Sequence, residues 1–281
     1  ALIPTVRFVD YNPDDFEIQS AKTSARREDY VNFLYSRLQR RGHMMRDVHR
    51  LVNRDRNIFS ACMVAMGDAD AMLTGVTRHY WQVLESVRKV IDPMPGYPKP
   101  MGLSLYFSRG RTVFISDTTV NERPSAEELA DIAMHTAEAV RHLGHEPRVA
   151  LLSFSNFGNP MREKAEHVRE AVKILEQRNV DFEFDGEMAA DTALNSHLLE
   201  LYPFTRLSGP ANVLVMPALH SANISYKLLS ELSGGRVVGP LLWGMSKSVQ
   251  VVRMNSRTSD LVNMAAFAAL GAVEPKHRSD G

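Results

Sequence analysis

Ser153, Ser155, Asn156, Gly158 and Asn159 stand in the run Leu152-Ser153-Phe154-Ser155-Asn156-Phe157-Gly158-Asn159-Pro160, between an apolar stretch and a segment of helical periodicity. Small polar side chains and a glycine let main-chain N–H groups approach an anion closely. Asn159 suits a helix N-cap and Pro160 the first helical position. A helix start adds the positive end of its dipole. The chemistry open to such a loop is to cradle a phosphate or pyrophosphate; the alternative is a plain connection. The run is neither a G-x-x-x-x-G-K phosphate loop nor a G-x-G-x-x-G dinucleotide fingerprint.

A second strand-to-helix junction carries Pro217, His220, Ser221 and Asn223. It falls on the same sheet edge as the first, so both loops could face one crevice beyond the carboxyl ends of the strands. His220 could move protons there, or serve as a cap or surface residue. Asp185-Gly186-Glu187 follows an expected strand over residues 180–184. Two carboxylates there could bind metal or move protons, or form a charged turn. Asp68 and Asp70 sit two apart without EF-hand spacing, and read as a loop or cap. His142 and His145 lack a third ligand nearby, so no metal site is expected. Cys62 lies among Ala and Met and reads as a small buried apolar residue. Arg37, Arg40, Arg41, Arg46, Arg50, Arg54 and Arg56 form a basic run: a solvated or interface face, an anion site, or a nucleic-acid contact.

The elements that must hold these residues follow from periodicity. An opening strand is expected over 5–9, then a turn at Asn12-Pro13-Asp14-Asp15. Helices are expected over 26–41 (stopped by Gly42), 45–52, 57–66 and 77–91. Pro93, Pro95, Gly96, Pro98 and Pro100 then mark a linker-like boundary. Beyond it strands (103–107, 112–115, 148–154, 180–184, 211–216) alternate with helices. Ser108-Arg109-Gly110-Arg111 reads as a hairpin turn, and Ser125 with Glu128 as a capping box opening a helix that Gly144 ends. Further helices are expected over 161–178 and 221–232. This alternation implies an α/β fold with a mostly parallel sheet covered on both faces.

Composition narrows the field. The chain has 281 residues, room for one large domain or two modest ones. Its 33 basic and 33 acidic residues cancel, which argues against a dedicated nucleic-acid binder. The single cysteine excludes an internal disulfide and fits a cytoplasmic location. The longest apolar stretch, 262–273, is too short to span a bilayer, so no membrane partner is expected. The first residues ALIPTVRFVD carry neither a signal peptide nor a starting Met, and the expectation is a piece of a longer chain.

VALLSFSNFGNP, VREAVKILEQRNVDFEFDGEMAADTAL, LSGPANVLVMPALHSANISYKLL, VVGPLLWGMSKSVQVV and SDLVNMAAFAAL occur in the order of one family, with ACMVAMGDADAMLTGVTR and FISDTTVNERPSAEELADIA before them. Together they resemble the phosphate acetyltransferase (phosphate acetyl/butyryl transferase) family over most of the chain. SRLQRRGHMMRDVHRLVNRDRNIFSACMVAMGDADAM, FDGEMAADTALN and LYPFTRLSGPANVLVMPALHSANIS are similar to the C-terminal phosphotransacetylase-like domain of large bacterial NADP-dependent malic enzymes. The resemblance implies a two-lobed, three-layer α/β/α fold, isocitrate/isopropylmalate dehydrogenase-like, with a cleft between lobes. Lobe I would be residues 1–100 and 243–281, without the family's opening strand and helix, and lobe II residues 101–242.

The resemblance also implies a role. The family's S-R-G-x-S-x-E-D-I-V-N segment reads here Arg253-Met254-Asn255-Ser256-Arg257-Thr258-Ser259-Asp260-Leu261-Val262-Asn263. Asp260 keeps the position of the base toward the CoA thiol, while Arg253 and Met254 replace Ser-Arg. Met cannot donate to an oxyanion, and loss of one such donor costs ~3–4 kcal/mol of transition-state stabilisation. The family's L-R-K-x-K-G segment also differs, as Leu38-Gln39-Arg40-Arg41-Gly42. The expected role is therefore a regulatory, acetyl-CoA-binding and dimer- or oligomer-forming domain without acetyl transfer. Its parent would oxidise and decarboxylate malate to pyruvate, with NADP and Mg or Mn held in a malic enzyme region outside this chain. Acetyl-CoA, as effector, would meet Ser153, Ser155, Asn156, Gly158, Asn159, Gly209, Asn212, Pro217, Asn223 and Asp260. The domain itself needs no cofactor on this reading. A working transferase with Asp260 as base, and a purely structural dimerisation module, are the alternatives.

Overall fold

The computed structural model describes residues 17–108, 110–161 and 165–273. The expected strand over 5–9 and the turn at Asn12–Asp15 lie outside the described residues, as does Arg109 of the expected hairpin turn.

The first part of the chain is helical: α1 (Arg27–Leu38), a short 3-10 turn (Gln39–Arg41), α2 (Met45–Arg54) and α3 (Arg56–Met66). Gly42 and Gly67 end α1 with its 3-10 turn and α3 in the left-handed conformation that glycine adopts without a Cβ penalty. Strand β1 (Ala71–Gly75) and helix α4 (Tyr80–Arg88) follow. After the proline-rich stretch come β2 (Met101–Ser108), β3 (Arg111–Ser116), α5 (Ala126–His142), β4 (Arg148–Leu152), α6 (Glu166–Gln177) and β5 (Glu183–Met188). The remainder is α7 (Ala190–Leu194), α8 (Ser196–Leu199), β6 (Val213–Val215), α9 (Leu219–Leu232), β7 (Arg236–Trp243), β8 (Ser248–Val252) and α10 (Thr258–Val273).

Six strands form one sheet in the order β5-β4-β6-β3-β2-β7. β5, β4, β6 and β3 run parallel, whereas β2 and β7 are antiparallel to their neighbours. The sheet is thus mixed but mostly parallel, as expected: three of its five pairings are parallel, and β2, turned back by the β2–β3 hairpin, is the one strand that runs against the rest. Along β4 successive side chains alternate faces. Val149 and Leu151 join α5 and α6 in one core, while Ala150 and Leu152 join Ala193, Leu199, Ala222 and Tyr226 in another. A strand covered on both faces must be apolar throughout, as Val149 to Leu152 is.

A third core packs α1–α4 against β1 and β8, which pair in parallel as a two-stranded sheet. Leu34, Leu84 and Ile58 are fully buried there, each worth ~1.5–3 kcal/mol of transfer free energy. Gly75 closes β1 at φ +123, where any Cβ would stand 2.1 Å from the Val252 carbonyl oxygen. That position admits only glycine.

The proline-rich stretch is packed, not a free linker. Met94 N–H donates to the Gly244 carbonyl, and Ser246 N–H to that of Asp92. Tyr97 stacks on His135 at 3.5 Å between ring centres, and its hydroxyl bonds Glu138 and receives Trp243 Nε1–H. Burial holds His135 below the ordinary imidazole range. The Gln250 amide bonds both the N–H and the carbonyl of Leu242, locking β8 to β7. The outgoing and returning strands of chain therefore cross as one hydrogen-bonded unit.

Three expectations change. The helix expected over 77–91 is cut to Tyr80–Arg88, and the one over 161–178 begins only at Glu166. The strand expected over 180–184 runs Glu183–Met188, because Asn179 turns the chain at φ +50. Strands β1, β7 and β8 and helix α10 have no counterpart among the expected elements.

Candidate functional site

The shift of β5 decides the chemistry of its acidic pair. Asp185 and Glu187 lie within the strand and are buried, not on a charged turn. Asp185 accepts from the Thr205 hydroxyl, the Arg206 N–H and the Arg206 guanidinium. Glu187 is fully enclosed. Its Oε1 accepts from Ser155 Oγ (2.6 Å), Gly158 N–H (3.1 Å) and the Arg169 guanidinium (3.1 Å), while Oε2 has no partner. A buried carboxylate needs such donors to stay in a low-dielectric site.

Glu187 thereby organises the Ser153–Asn159 loop. Ser153 N–H donates to the Met188 carbonyl and Phe157 N–H to that of Glu187. Asn156 and Asn159 exchange main-chain hydrogen bonds, and the Asn156 side chain accepts from Ala189 N–H. The loop is a tight self-paired turn. Asn159 is not a helix cap: the N-cap of α6 is Ala165. The N–H of Gly158 and the hydroxyl of Ser155, which the cradle reading offers to a bound anion, are already held by a carboxylate of the protein. Phe154 and Asn159 stay exposed at the loop's surface.

A second cluster forms where the cores meet. Asp117, just past β3, is buried and accepts from the N–H groups of Gly102, Thr119, Val120 and Asn121 and from the Asn121 amide. Burial pushes its carboxyl above the ordinary range against the pull of those donors. A Cβ on Gly102 would come within 2.5 Å of Thr119, so this close approach needs glycine. The Tyr80 hydroxyl is buried beside Thr119, and its pKa rises from burial first and from Asp117 and Tyr226 next. Arg253 lies over the Tyr226 ring, 5.7 Å from its centre, with a buried Nε that makes no hydrogen bond. Arg253, Ser256, Asp260 and Met264 line a cavity of about 10 Å³. Asp260 occupies the first turn of α10, where its Oδ2 accepts the Arg257 N–H. Met254 is exposed.

Pro217 follows β6 at the same sheet edge as Ser153, and its carbonyl meets His167 Nε2 at 3.4 Å. Asn223 lies in the early turns of α9, near Tyr226. Asn212 is elsewhere. It precedes β6 at the opposite edge, where its side chain bonds Arg148 N–H and the Glu146 carbonyl. Gly209 belongs to the loop leading there. Strand direction separates them: Asn212 pairs beside Arg148, the first residue of β4, and Ser153 follows the last. Gly209 and Asn212 thus do not join the Ser153–Asn159 loop.

The other candidates have ordinary surroundings. His220 is exposed in the first turn of α9. Asp68 receives Arg26 and the Tyr30 hydroxyl. Cys62 is buried, which pushes its thiol up to about 12. Arg37 pairs with Asp92, while Arg40, Arg41, Arg50 and Arg54 are exposed. Among the described residues no three His, Cys, Asp or Glu side chains converge as a metal site. No described helix is long and apolar enough to cross a membrane. Sequence reasoning missed Asp117, Arg169, Tyr80 and Tyr226. The one signal for Asp117 is its place before Thr-Thr-Val-Asn, the pattern of a side chain that caps following N–H groups.

The family model of phosphate acetyl/butaryl transferase matches residues 6–269. The chain belongs to that family. An NADP-dependent malic enzyme of Rhizobium meliloti (strain 1021) is 57% identical over 264 residues, spanning 94% of this chain and 35% of that protein. The chain thus spans about a third of the length of that relative. A phosphate acetyltransferase of Clostridium acetobutylicum is 32% identical, over 91% of this chain and 79% of the relative. Among solved structures, a phosphotransacetylase from Staphylococcus aureus superposes with a TM-score of 0.83 at 26% identity, covering 93% of this chain and 80% of that one. The chain is an α/β member of the family whose sheets match the phosphotransacetylase architecture.

Proposed function

We propose that this chain is the C-terminal regulatory domain of an NADP-dependent malic enzyme, binding acetyl-CoA and holding the oligomer together without transferring acetyl groups. The observation that carries the reading is the pair Arg253-Met254 beside Asp260. Arg253 stands where the family motif has Ser and is turned onto Tyr226. Met254 stands where the motif has Arg and is exposed, so no guanidinium is supplied from that position. Asp260 keeps the base position, yet one of its oxygens serves the start of α10. The identity to malic enzymes over a third of their length supports the parent assignment.

On this reading the acetyl-CoA contacts come from the outer surface of the Ser153–Asn159 loop, from Pro217 and Asn223, and from Asp260. Ser155 and Gly158 act indirectly, as loop supports bonded to Glu187. The fold is read as the two-lobed isocitrate/isopropylmalate dehydrogenase type, with lobe I over 1–100 and 243–281, lobe II over 101–242, and the cleft at the Asp117–Arg253 junction. Oligomer formation is supported by the exposed apolar residues Val262, Leu270 and Val273 on α10. NADP and a divalent metal belong to the parent's malic enzyme region, and the parent is read as cytoplasmic.

Acetyl-CoA regulates only if it binds two states of the parent with different affinity. Calorimetric titration of this chain with acetyl-CoA, beside malate oxidation by the full-length parent with and without it, tests this. The expected result is binding and inhibition; tight binding with an unchanged parent rate removes the regulatory role. The retained Asp260 favours a second reading, an active transferase, which robust turnover of CoA with acetyl phosphate would establish.

A further inference from the structure

A groove of about 340 Å³ opens at the edge of the six-stranded sheet opposite the Ser153–Asn159 loop. It is lined by Gly110, Arg111, Thr112, His145, Arg148 and residues 210–212. Among the described lining residues none carries a carboxylate; Glu183, the register partner of Arg148 on β5, accepts from Ser208 N–H. Arg111 donates through one guanidinium nitrogen to the Leu194 carbonyl at 3.4 Å, and Arg148 through Nε to the Pro210 carbonyl at 3.0 Å. Both acceptors are neutral. Among the described residues neither guanidinium has an ion-pair partner. The nearest acid in sequence, Glu146, is exposed and engaged by Arg141.

The Arg148 side of the groove is tied down by hydrogen bonds and ring packing. The Asn212 side chain clamps Arg148 N–H and the Glu146 carbonyl, and the His145 ring packs edge-on to Phe114. Two guanidinium forks with N–H donors left over in one groove suit an oxyanion, which each can grip through paired N–H donors. The volume falls at the lower end of the ~300–1,000 Å³ range of small-molecule sites.

We propose that this groove binds a small metabolite bearing an oxyanion, a phosphate ester or a dicarboxylate, through Arg111 and Arg148. The site is separate from the acetyl-CoA reading and does not rest on it. The test is calorimetric titration of the chain with pyrophosphate and, separately, with succinate at constant ionic strength. The expected result is saturable binding of at least one, with the tighter probe naming the source of the oxyanion. Arg111→Gln and Arg148→Gln should each weaken it about tenfold or more. Arg111 is exposed, so its variant keeps the test valid if Arg148→Gln unfolds the chain. Arg50→Gln on α2 should leave the affinity unchanged. No saturable binding of either probe, or equal weakening by Arg50→Gln and Arg111→Gln, overturns the proposal. Acetyl-CoA titration of Arg111→Gln should match the unaltered chain, so failure here and failure of the acetyl-CoA reading are told apart.

Discussion

Replacing Glu187 by Ala should loosen the Ser153–Asn159 loop and destabilise the chain by about 3 kcal/mol. The magnitude follows from what the carboxylate holds. Breaking a fully buried ion pair from one side costs ~3–5 kcal/mol, because the remaining charge is stranded. Arg169 is 24% exposed and can recover water, which lowers that figure. The Ser155 hydroxyl is buried and cannot, and an unsatisfied buried donor costs ~1–3 kcal/mol. At roughly 2–4 °C per kcal/mol for a chain of this size class, the midpoint of thermal unfolding should fall by roughly 6–12 °C. Glu187→Gln keeps an acceptor but loses the charge and places an amide NH2 where Oε2 has no partner, so a smaller loss of about 1–2 kcal/mol is expected. Calorimetric melts of both variants, with amide exchange across residues 153–159, measure the effect. Equal melting of Glu187→Ala and the unaltered chain, with exchange protection unchanged at Gly158, would refute the claim that this carboxylate holds the loop.

Three further outcomes follow from the same geometry. Arg253→Ser with Met254→Arg restores the motif donors, and acetyl transfer from acetyl phosphate to CoA should rise by ~10²–10³-fold over the unaltered chain; an unchanged rate would mean that Asp260 is misplaced as well. Val262→Asp with Leu270→Glu puts charge on the apolar face of α10 and should shift the chain toward monomer in light scattering, whereas an unchanged mass would clear that face of any role in assembly. His135 is half-buried with a lowered pKa, so the unfolded state binds the extra proton: its contribution to stability is present above the ordinary imidazole value and is lost as pH falls through it. Melts of His135→Phe, which keeps the stack on Tyr97, should show a flatter decline than the unaltered chain between about pH 7 and pH 5.

Much of the fold is legible along the chain because its signals are local. Ser125 and Glu128 form the expected capping box, and helices α1, α3 and α5 end at or next to Gly42, Gly67 and Gly144. Periodicity also gives β2, β3, β4 and β6 their places. It fails for β5, since Glu183-Phe184-Asp185-Gly186-Glu187 breaks the apolar pattern. Those acids can be buried only because Thr205, Arg206, Ser155 and Arg169 come from elsewhere in the chain to meet them. It fails for β1 and β8 because their pairing joins segments far apart in sequence.

The order of motifs by itself determined the family, and the residue types at 253, 254 and 260 set the expectation of which motif positions are kept and which differ. Those are properties of side-chain identity, and identity survives without coordinates. Only the tertiary structure decided that Ser155 and Gly158 serve a buried carboxylate, that the proline-rich stretch is a packed crossing, and that Asn212 sits at the far edge of the sheet. The physical reason is that strand direction and long-range pairing choose which hydrogen-bond donors meet which acceptors. The formal charge of zero is likewise a sum over residues. It gives no sign that Arg111 and Arg148 line one groove.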